Sequence, residues 1–507
     1  MIQYFKQFWN DGMQQLLSLS FKQKAFLIFC LGLILYLPLM DNFNATHDEK
    51  YTLLVFQYSW IDMIKTLMAE DGHPPLSYIF IRLFASINNE YQIALARFSS
   101  VLVLMCTALL GVFPLRRLLG DKVALLYMLF VFTFPASFHL GINIRMYPLA
   151  VLCTTGAFLY ALTIVHKYRR SDWFWLSFFS IAGLYTHYYC GMILAVIWIA
   201  LLLDLIKTKQ FSKIKWLFLN GTIVAFCFLP WILVFINQYN NMKTDWYPSL
   251  QTAIKAIVGA VFYYRGAYNA YTITTFFTIF LGILSWILIF QFLSETKKTD
   301  LKNIIVKRAT SICITVYIMA WLISLIARPM LVNGYLIIFM GFLYISISVA
   351  FIYFTQFRKL FLIVFIPTLL TCWPQYYSLT HEQINKKIQI YFHENIPRDS
   401  LILYDFTWTH LFLRFYLPEY QVLYTPKINE LMLLKNKLKT EQHNLQELTN
   451  YNNIYMFSSF CHKINGSLIQ NQTSMYSYPE LFCLKRLSID EAKFHIFNSK
   501  NFINNVK

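Results

Sequence analysis

The chain has 507 residues, of which 57% are hydrophobic and only 13% are charged, and its mean hydropathy is +0.48. A soluble chain of this length cannot bury that much apolar surface, so the composition excludes a soluble globular protein. Lysine and arginine (43) outnumber aspartate and glutamate (25), which gives a formal charge of +18. This charge lies in short loops between apolar runs, so it indicates membrane topology and no nucleic-acid partner.

Long apolar runs predict a polytopic α-helical membrane protein with about eleven transmembrane helices. The first run follows lysines but precedes no small-residue cleavage pattern, so we interpret it as a retained span. The runs cover roughly residues 24–41, 92–113, 121–139, 146–166, 173–189, 191–206, 215–236, 271–294, 305–327, 332–354 and 358–375.

Every second connection between these runs is basic, which predicts that the N-terminus and the basic loops lie in the cytoplasm. An odd number of spans then places the C-terminal tail on the outer side. The basic residues of these connections include Lys22, Lys24, Arg116, Arg117, Lys122, Lys167, Arg169, Arg170, Lys207, Lys209, Lys213, Lys297, Lys298, Lys302, Arg308, Arg358 and Lys359.

The first outer loop, residues 41–91, is long and acidic. Apolar residues repeat at helical spacing from Leu53 to Leu67 and again from Leu76 to Ile87. Both helices are too short to span a bilayer, so we expect them to lie flat in the outer interface. Together with this loop, the spans form a predicted transmembrane domain of residues 1–375.

The tail, residues 376–507, changes to an alternation of strand-like and helical segments. This pattern predicts a small extracytoplasmic α/β domain with a parallel sheet. Cys461 and Cys483 lie in this tail, and we expect them to pair because the outer compartment is oxidising. The segments are strands at 401–406, 420–424 and 453–459, and helices at 407–417 and about 429–449.

Five polar signals fall at the predicted outer face, and their convergence indicates a site there. Each signal also has a structural interpretation: Thr46 and Glu49 form a capping-box pattern, and His73 precedes two prolines that shape a turn. The signals are THDEKYT (46–52), HPPL (73–76), Arg97, INIRMYP (142–148) and YTHYYCG (185–191).

The individual residues allow different roles. Asp48 and Glu49 are adjacent on a helix and do not face each other, so we expect them to act differently. His187, among tyrosines, is either a hydrogen-bonded interface residue or a ligand. Arg145 enters an apolar span and therefore needs an anion, which either the protein or a ligand supplies.

Sugar transfer from a polyprenyl phosphate fits these residues at a lipid–water boundary. A positioned carboxylate can take the proton of the acceptor hydroxyl, and an arginine can stabilise the phosphate leaving group. The chain has no Gly-rich nucleotide-binding loop, which agrees with a lipid-linked donor.

Residues 46–190 resemble the bacterial dolichyl-phosphate-mannose-protein-mannosyltransferase-like group, the GT-C fold glycosyltransferases that include aminoarabinose transferases acting on lipid A. The resemblance implies inverting transfer from a polyprenyl-phosphate sugar, with the acidic pair at Asp48 and Glu49 and an arginine-x-tyrosine at Arg145 and Tyr147. The matching segments are DEKYT (48–52), HPPLSY (73–78), ARFSSVL (96–102), LRRLLGDKVALL (115–126), IRMYPLAVL (144–152) and YTHYYCG (185–191).

One segment departs from the group's pattern. Members often carry an Arg-Tyr pair after the proline that enters a late span, whereas ARPMLVNGYL (327–336) has Gly334 before Tyr335. Either Arg328 supplies the charge or this loop binds the donor differently.

The predicted catalytic residues are Asp48 and Glu49, and the predicted donor- and substrate-binding residues are His73, Arg97, Arg145, Tyr147, His187 and Arg328. Glu49 and His73 are residue types that can hold a divalent cation, but their spacing is not diagnostic, so no cofactor is assigned. The expected partners are the polyprenyl-phosphate sugar, membrane lipids and a glycan, lipid or protein acceptor.

Two other functions remain open. A transporter or flippase of lipid-linked sugars would place ionisable residues near mid-membrane, whereas these spans are nearly free of charge at their centres. A structural assembly protein would explain the α/β tail but gives the acidic loop no role. The residue usage, rich in Lys, Asn and Ile, points to a bacterial inner membrane with the site facing the periplasm or exterior.

The alternation of basic loops predicts that alkaline phosphatase fused after Lys507 is active, because that enzyme folds only outside the cytoplasm. Fusions after Arg170 and Lys209 serve as matched controls and should be inactive. An inactive fusion after Lys507, with activity at the two control positions, contradicts the topology.

Overall fold

The computed structural model describes residues 14, 18–41, 43–241, 273–326, 333–353, 357–381, 384–404, 407–424, 451–458, 467–469 and 482–487. The chain forms two compact units. The helical unit comprises residues 1–42, 59–265 and 271–377, and the α/β unit comprises residues 43–58, 266–270 and 378–507. Residues 43–58 of the acidic loop therefore group with the tail.

Nine helices in the described part of the chain are long and apolar enough to cross a membrane. Ten result if the helices Asp121–Thr133 and Pro135–Ile142, which are bent by 62° at Phe134, count as one span. The nine are Phe21–Leu39, Asn89–Leu119, Tyr147–His166, Tyr188–Lys207, Phe211–Asn241, Ile273–Glu295, Leu301–Ile326, Tyr335–Tyr353 and Arg358–Ser378.

The remaining predicted span is shorter than expected. The apolar run at 173–189 forms the helix Ser171–Leu184, which has 14 residues. At 1.5 Å per residue it is about 21 Å long, less than the ~30 Å of a hydrocarbon core. Its apolar composition resembles that of a span, but the helix ends before the Tyr185–His187 turn.

The other helices and the strands of the described residues complete the fold. In chain order we number α1 Phe21–Tyr36, α2 His47–Val55, α3 Trp60–Glu70, α4 Leu76–Ala85, α5 Gln92–Leu110, α6 Arg116–Leu119, α7 Asp121–Thr133, α8 Pro135–Ile142, α9 Tyr147–His166, α10 Ser171–Leu184, α11 Tyr188–Lys207, α12 Phe211–Asn241, α13 Ile273–Glu295, α14 Leu301–Ile326, α15 Met340–Tyr353, α16 Arg358–Thr380, α17 Ile384–Asn395 and α18 Thr407–Tyr416, with strands β1 Leu401–Tyr404, β2 Gln421–Tyr424, β3 Ile454–Ser458, β4 Ser467–Ile469 and β5 Phe482–Leu487.

The first outer loop holds three helices where the sequence predicted two. The apolar pattern from Leu53 to Leu67 is divided between α2 and α3, because Ser59 begins a new helix by accepting a hydrogen bond from the backbone N–H of Asp62 at 3.1 Å. The second predicted helix is α4. Their position in the membrane interface stays a prediction.

Helix α9 lies in the interior of the helical unit, and nearly every one of its side chains is buried. It approaches α15 closely: a Cβ atom at Gly341 would lie 1.7 Å from Oγ1 of Thr155. A larger residue at position 341 would force the two helices apart. The residues that precede α9 are therefore held at the end of a fixed central helix.

Basic loops that the sequence placed on one face contact one another. Arg117 donates to the buried carboxylate of Asp172 at 2.6 Å, and Lys213 donates to the carbonyl of Ile164 at 2.5 Å. Arg308 pairs with Asp204. These contacts gather four predicted cytoplasmic connections at one end of the helical unit, which we call the basic end.

The α/β unit contains a mixed sheet. Its strand order is β2-β1-β3-β5-β4, with β1 parallel to β2 and β3, and β5 antiparallel to β3 and β4. The three predicted strands and their parallel pairing are confirmed, but β4 and β5 were missed. The predicted helix at 429–449 lies outside the described residues, as does Cys461.

Two ion pairs at the basic end, formed by the neighbouring residues Arg116 and Arg117, should differ in how much they stabilise the fold. Asp172→Asn leaves the largely buried Arg117 without its counter-charge, which should cost about 3 kcal/mol. Asp121→Asn breaks the exposed pair with Arg116 and should cost less than about 1 kcal/mol. Thermal unfolding midpoints of both variants in detergent check this, and equal midpoints contradict it.

Candidate functional site

A buried carboxylate organises the polar residues between α3 and α4. Asp71 accepts hydrogen bonds from both sides: its Oδ1 lies 2.8 Å from Nδ1 of His73, and its Oδ2 lies 2.5 Å from the hydroxyl of Tyr78. Because the ring nitrogen Nδ1 faces a carboxylate, it carries the proton. His73 is therefore oriented with Nε2 on the far side of the ring.

Arg145 joins the same cluster through Tyr78. Its guanidinium Nη1 donates to the Tyr78 hydroxyl at 3.1 Å. Burial by itself would raise the pKa of Asp71, but the hydrogen bond and charge of His73, the charge of Arg145 and the Tyr78 hydroxyl outweigh it and lower this pKa to about 2. Asp71 thus remains ionised and is the protein's own anion near Arg145.

His187 packs against His73 and is itself buried. The two ring centroids are 5.1 Å apart, and the His187 ring lies 4.7 Å from that of Tyr335 and 6.1 Å from that of Tyr147. Burial, with the nearby charges of His73 and Arg145, holds the pKa of His187 well below its usual value, although Asp71 opposes this. The imidazole is therefore neutral near pH 7.

The tautomer of His187 follows from its hydrogen bond. Nδ1 accepts from the backbone N–H of Tyr189 at 3.1 Å, so the proton of the neutral ring is on Nε2. Nε2 is buried and has no hydrogen-bond partner among the described residues. This N–H can donate to a ligand that enters beside the Tyr335 ring.

Backbone contacts bring the loop residues and the turn together. The N–H of Leu76, at the start of α4, donates to the carbonyl of Tyr185 at 2.9 Å. The Gln238 side chain donates to the carbonyl of Leu67 at 2.7 Å and also contacts the Tyr188 hydroxyl. These contacts fix the His73 turn beside the His187 turn.

The cluster lies at the end of the helical unit opposite the basic end. Helices α9 and α11 have 20 residues each, about 30 Å, and both begin at the cluster. The other end of α9 accepts from Lys213, and the other end of α11 carries Asp204, the partner of Arg308. The site and the basic loops are therefore separated by about the thickness of a bilayer core.

Four of the predicted binding residues come together in the structure: His73, Arg145, Tyr147 and His187. Sequence reasoning missed the roles of three others. Asp71 precedes His73 by two residues and begins the polar turn as the C-cap of α3, Tyr78 follows within HPPLSY, and Tyr335 belongs to the departing segment ARPMLVNGYL. An acidic residue two positions before a histidine was the available signal for Asp71.

Arg97 contacts the start of the first outer loop. Its side chain is buried, and its Nη1 donates to the carbonyl of Asp41 at 2.7 Å. This contact holds the chain where the first span gives way to the outer loop. Arg328 lies outside the described residues.

Asp48 and Glu49 belong to the α/β unit, at the start of α2. Glu49 is buried and completes the capping box: its Oε2 accepts from the N–H of Thr46 at 2.8 Å, while Oγ1 of Thr46 accepts from the N–H of Glu49 at 3.4 Å. Asp48 is exposed. The two carboxylates therefore lie in different environments.

The described residues do not offer a metal-ligand set. In the described ranges no three His, Cys, Asp or Glu side chains are grouped so that they could hold a metal ion. Both carboxylate oxygens of Asp71 are engaged by His73 and Tyr78, and Glu49 is engaged by its helix cap. We assign no residue to a divalent cation.

Comparisons with known proteins agree with this architecture. A family model described as dolichyl-phosphate-mannose-protein mannosyltransferase matches residues 72–234. The crystal structure of ArnT from Cupriavidus metallidurans in the apo state aligns with a TM-score of 0.57 and 11% identity, covering 92% of this chain and 98% of that one. ArnT from the same organism bound to undecaprenyl phosphate aligns with a TM-score of 0.56 and 11% identity, covering 91% and 97%.

Two further comparisons do not add to the fold assignment. The oligosaccharyltransferase of Archaeoglobus fulgidus, in a complex with Zn and sulfate, aligns with a TM-score of 0.44 and 12% identity over 86% of this chain and 68% of that one, which is too low to support an argument. Comparison with curated protein sequences gives no match.

The chain is therefore a multi-span membrane protein with the GT-C fold that it shares with ArnT. Residues 72–234, which include His73, Arg145 and His187, carry the sequence pattern of the dolichyl-phosphate-mannose-protein mannosyltransferase family. The resemblance inferred from the sequence motifs is confirmed at this level.

The buried His187 predicts a loss of stability in mild acid. Its pKa is lower in the folded protein than in the unfolded chain, so below about pH 6.5 the unfolded chain binds more protons and unfolding becomes easier. Asp71, with a pKa of about 2, stays ionised throughout this range and adds no pH dependence. Unfolding midpoints measured from pH 7.5 to 5 should fall, and His187→Gln should flatten the curve.

The control for this measurement is His393→Gln, at a partly exposed histidine of the α/β unit. This substitution removes a histidine of the other unit without touching the cluster, so the fall in mild acid that His187 causes should persist. A His187→Gln curve as steep as that of the parent protein contradicts the assignment of a neutral, buried His187.

Proposed function

We propose that the protein is a glycosyltransferase that moves a sugar from a polyprenyl-phosphate donor to a cell-envelope glycolipid, glycan or protein. The observation that carries the proposal is the cluster of the partly buried His73 and Arg145 with the buried His187, where apolar helices end. A donor whose tail stays in the bilayer presents its phosphate at this depth. ArnT, which has the same fold, has been crystallised with undecaprenyl phosphate.

The cluster has the chemistry that a departing phosphate requires. As the glycosidic bond breaks, negative charge grows on the phosphate oxygens, and preorganised donors stabilise it. Arg145 supplies a permanent positive charge, and Nε2–H of His187 supplies a hydrogen bond without adding charge. Asp71 keeps both His73 and the Tyr78–Arg145 pair in place before the donor arrives.

Asp48 is the residue we propose to activate the acceptor. A carboxylate that takes the proton of an acceptor hydroxyl allows that oxygen to attack the sugar directly, and one direct displacement inverts the anomeric centre. Asp48 is exposed on the second residue of α2, whereas Glu49 is committed to the helix cap. Glu49 therefore holds the start of α2 and Asp48 does the chemistry.

The proposed location is a bacterial inner membrane, with the cluster and the α/β unit facing the periplasm or exterior. The basic end would then face the cytoplasm, as the positive-inside rule requires. The ion pairs among the predicted cytoplasmic loops support one common face for them.

The broken span α7–α8 is the feature that would favour a transporter, because transporters bind substrates at discontinuous helices. The break at Phe134, however, is surrounded by aromatic rings. Phe130, Tyr344 and Phe365 lie within 6.3 Å of it, centroid to centroid. These aromatic rings offer no charge to a sugar phosphate, so the enzyme is the better proposal.

Substitutions within the acidic pair test the catalytic assignment. Asp48→Asn keeps the shape but removes the base, so the transfer rate should fall on the order of 10²–10⁴-fold while unfolding is unchanged. Glu49→Gln can still accept the capping hydrogen bond and should be milder. Transfer is measured by mass spectrometry of envelope glycolipids and glycans from cells carrying each variant. An active Asp48→Asn with an inactive Glu49→Gln reverses the assignment, and two fully active variants contradict it.

Arg145 should contribute to donor binding as well as to turnover. Arg145→Ala removes a charge that faces the phosphate in the ground state and the transition state, so undecaprenyl phosphate should bind more weakly and transfer should fall. Arg145→Lys should restore only part, because an ammonium cannot reproduce the planar guanidinium. Binding of phosphate-free undecaprenol is the control and should not change; an unaltered affinity of Arg145→Ala for undecaprenyl phosphate contradicts the proposed site.

A further inference from the structure

The segment that leads into the acidic pair is held by the tail of the chain. The hydroxyl of Tyr416, the last residue of α18, donates to the carbonyl of Phe43 at 3.0 Å and accepts from the N–H of Ala45 at 3.1 Å. Tyr416 is buried, and all of these residues belong to the α/β unit. One side-chain oxygen therefore fixes two backbone groups that lie just before the cap of α2.

A second residue of the tail makes further hydrogen bonds to the same segment. The amide of Asn385, in α17, donates to Oδ1 of Asn44 at 3.1 Å and to the Tyr416 hydroxyl at 3.3 Å. The Asn44 amide in turn donates to the carbonyl of Thr380 at 3.0 Å. Residues 43, 44 and 45 thus each have a hydrogen bond to a residue more than 300 positions later in the chain.

The aromatic rings of α18 hold the same segment from another side. The rings of Phe43 and Tyr416 have centroids 5.2 Å apart. The ammonium of Lys50, two residues after Asp48, is buried and lies 5.4 Å from the Tyr416 centroid and 5.1 Å from that of Phe412, which is cation–π distance. Tyr416 therefore contacts the chain on both sides of Asp48 in sequence, before α2 at residues 43 and 45 and within α2 at Lys50.

This arrangement sets the direction in which α2 begins. Hydrogen bonds within the capping box fix Thr46 relative to Glu49, but they leave the helix free to pivot as a whole. The contacts of Tyr416 with residues 43 and 45 remove that freedom. Asp48 is the second residue of α2, so a shift at the start of the helix would shift its carboxylate.

We propose that Tyr416 is a positioning residue for Asp48. By holding residues 43 and 45, this tail residue fixes the start of α2 and so supports transfer. The inference rests on the proposed role of Asp48 as the base. A misplacement of about 1 Å between reacting groups can lower a rate on the order of 10²-fold, so loss of the anchor should reduce transfer without touching the donor site.

The alternative is that Tyr416 only stabilises the tail. Tyr420 provides a matched control, because it is equally buried and its hydroxyl lies 3.0 Å and 2.9 Å from the carbonyls of Phe392 and Ile396. Both of its partners are within the tail. Tyr420→Phe and Tyr416→Phe each remove one buried hydroxyl. Of the two, only Tyr416→Phe removes the hydrogen bonds to residues 43 and 45.

The experiment uses the full-length protein purified in detergent and cells that carry each variant. Amide hydrogen–deuterium exchange of residues 43–52 is followed by mass spectrometry, binding is measured with undecaprenyl phosphate, and transfer is measured from envelope glycolipids and glycans. Tyr416→Phe should speed exchange in residues 43–52 and lower transfer about 10- to 100-fold with unchanged undecaprenyl phosphate binding. Asn385→Ala should show the same effects in weaker form, and Tyr420→Phe should show neither.

The outcomes separate this inference from the function on which it rests. If Tyr416→Phe and Tyr420→Phe have the same exchange in residues 43–52 and the same transfer, Tyr416 does not position Asp48. Faster exchange without any loss of transfer also overturns the inference. If Asp48→Asn transfers like the parent protein, the proposed base is wrong, which is a different failure because the exchange data do not depend on it.

Discussion

Charges that lie beside a bilayer must be paired or placed where helices end, because the hydrocarbon core offers no water to solvate them. Asp71 meets this constraint by accepting from His73 and Tyr78, and Tyr78 in turn receives a hydrogen bond from Arg145. Without that carboxylate, Nδ1 of His73 and the hydroxyl of Tyr78 would both lose this hydrogen-bond acceptor. His187 is neutral because its burial, together with the nearby charges of His73 and Arg145, lowers its pKa.

The two compact units each hold one of the two groups of polar residues. The helical unit brings together His73, Arg145 and His187, and Arg145 lies just before its central helix α9. The α/β unit holds the acidic segment, whose backbone is fixed by Tyr416 and Asn385. A membrane-embedded donor and a polar acceptor make different demands on a protein, and separate units can meet them with separate kinds of packing.

Patterns that depend on neighbouring residues could be predicted from the sequence. Apolar runs gave the helices, the Thr46-x-x-Glu49 spacing gave the capping box, and alternating residues gave three parallel strands. The break at Ser59 and the short α10 were missed because apolar periodicity continues across them. Strands β4 and β5 were missed because nothing local in their sequence distinguishes them from the surrounding loops.

Contacts between distant parts of the chain could not be predicted in this way. Tyr335 packs against His187 across roughly 150 residues, and Tyr416 reaches Phe43 across 373. A periodic pattern reports which face of a helix is buried, but it does not report what covers that face. His73, Arg145 and His187 were identified together only because the basic loops predicted a common face for all of them.

The central claim is that a sugar is transferred from a lipid monophosphate. The most direct test incubates the purified protein with polyprenyl-phosphate sugars extracted from its own membranes and follows the lipids by mass spectrometry. The account predicts that free polyprenyl phosphate accumulates as the sugar appears on an acceptor, and that neither happens with Asp48→Asn. A donor that remains intact in the presence of folded protein would contradict this account. A donor that Asp48→Asn cleaves as fast as the parent protein does would contradict it as well.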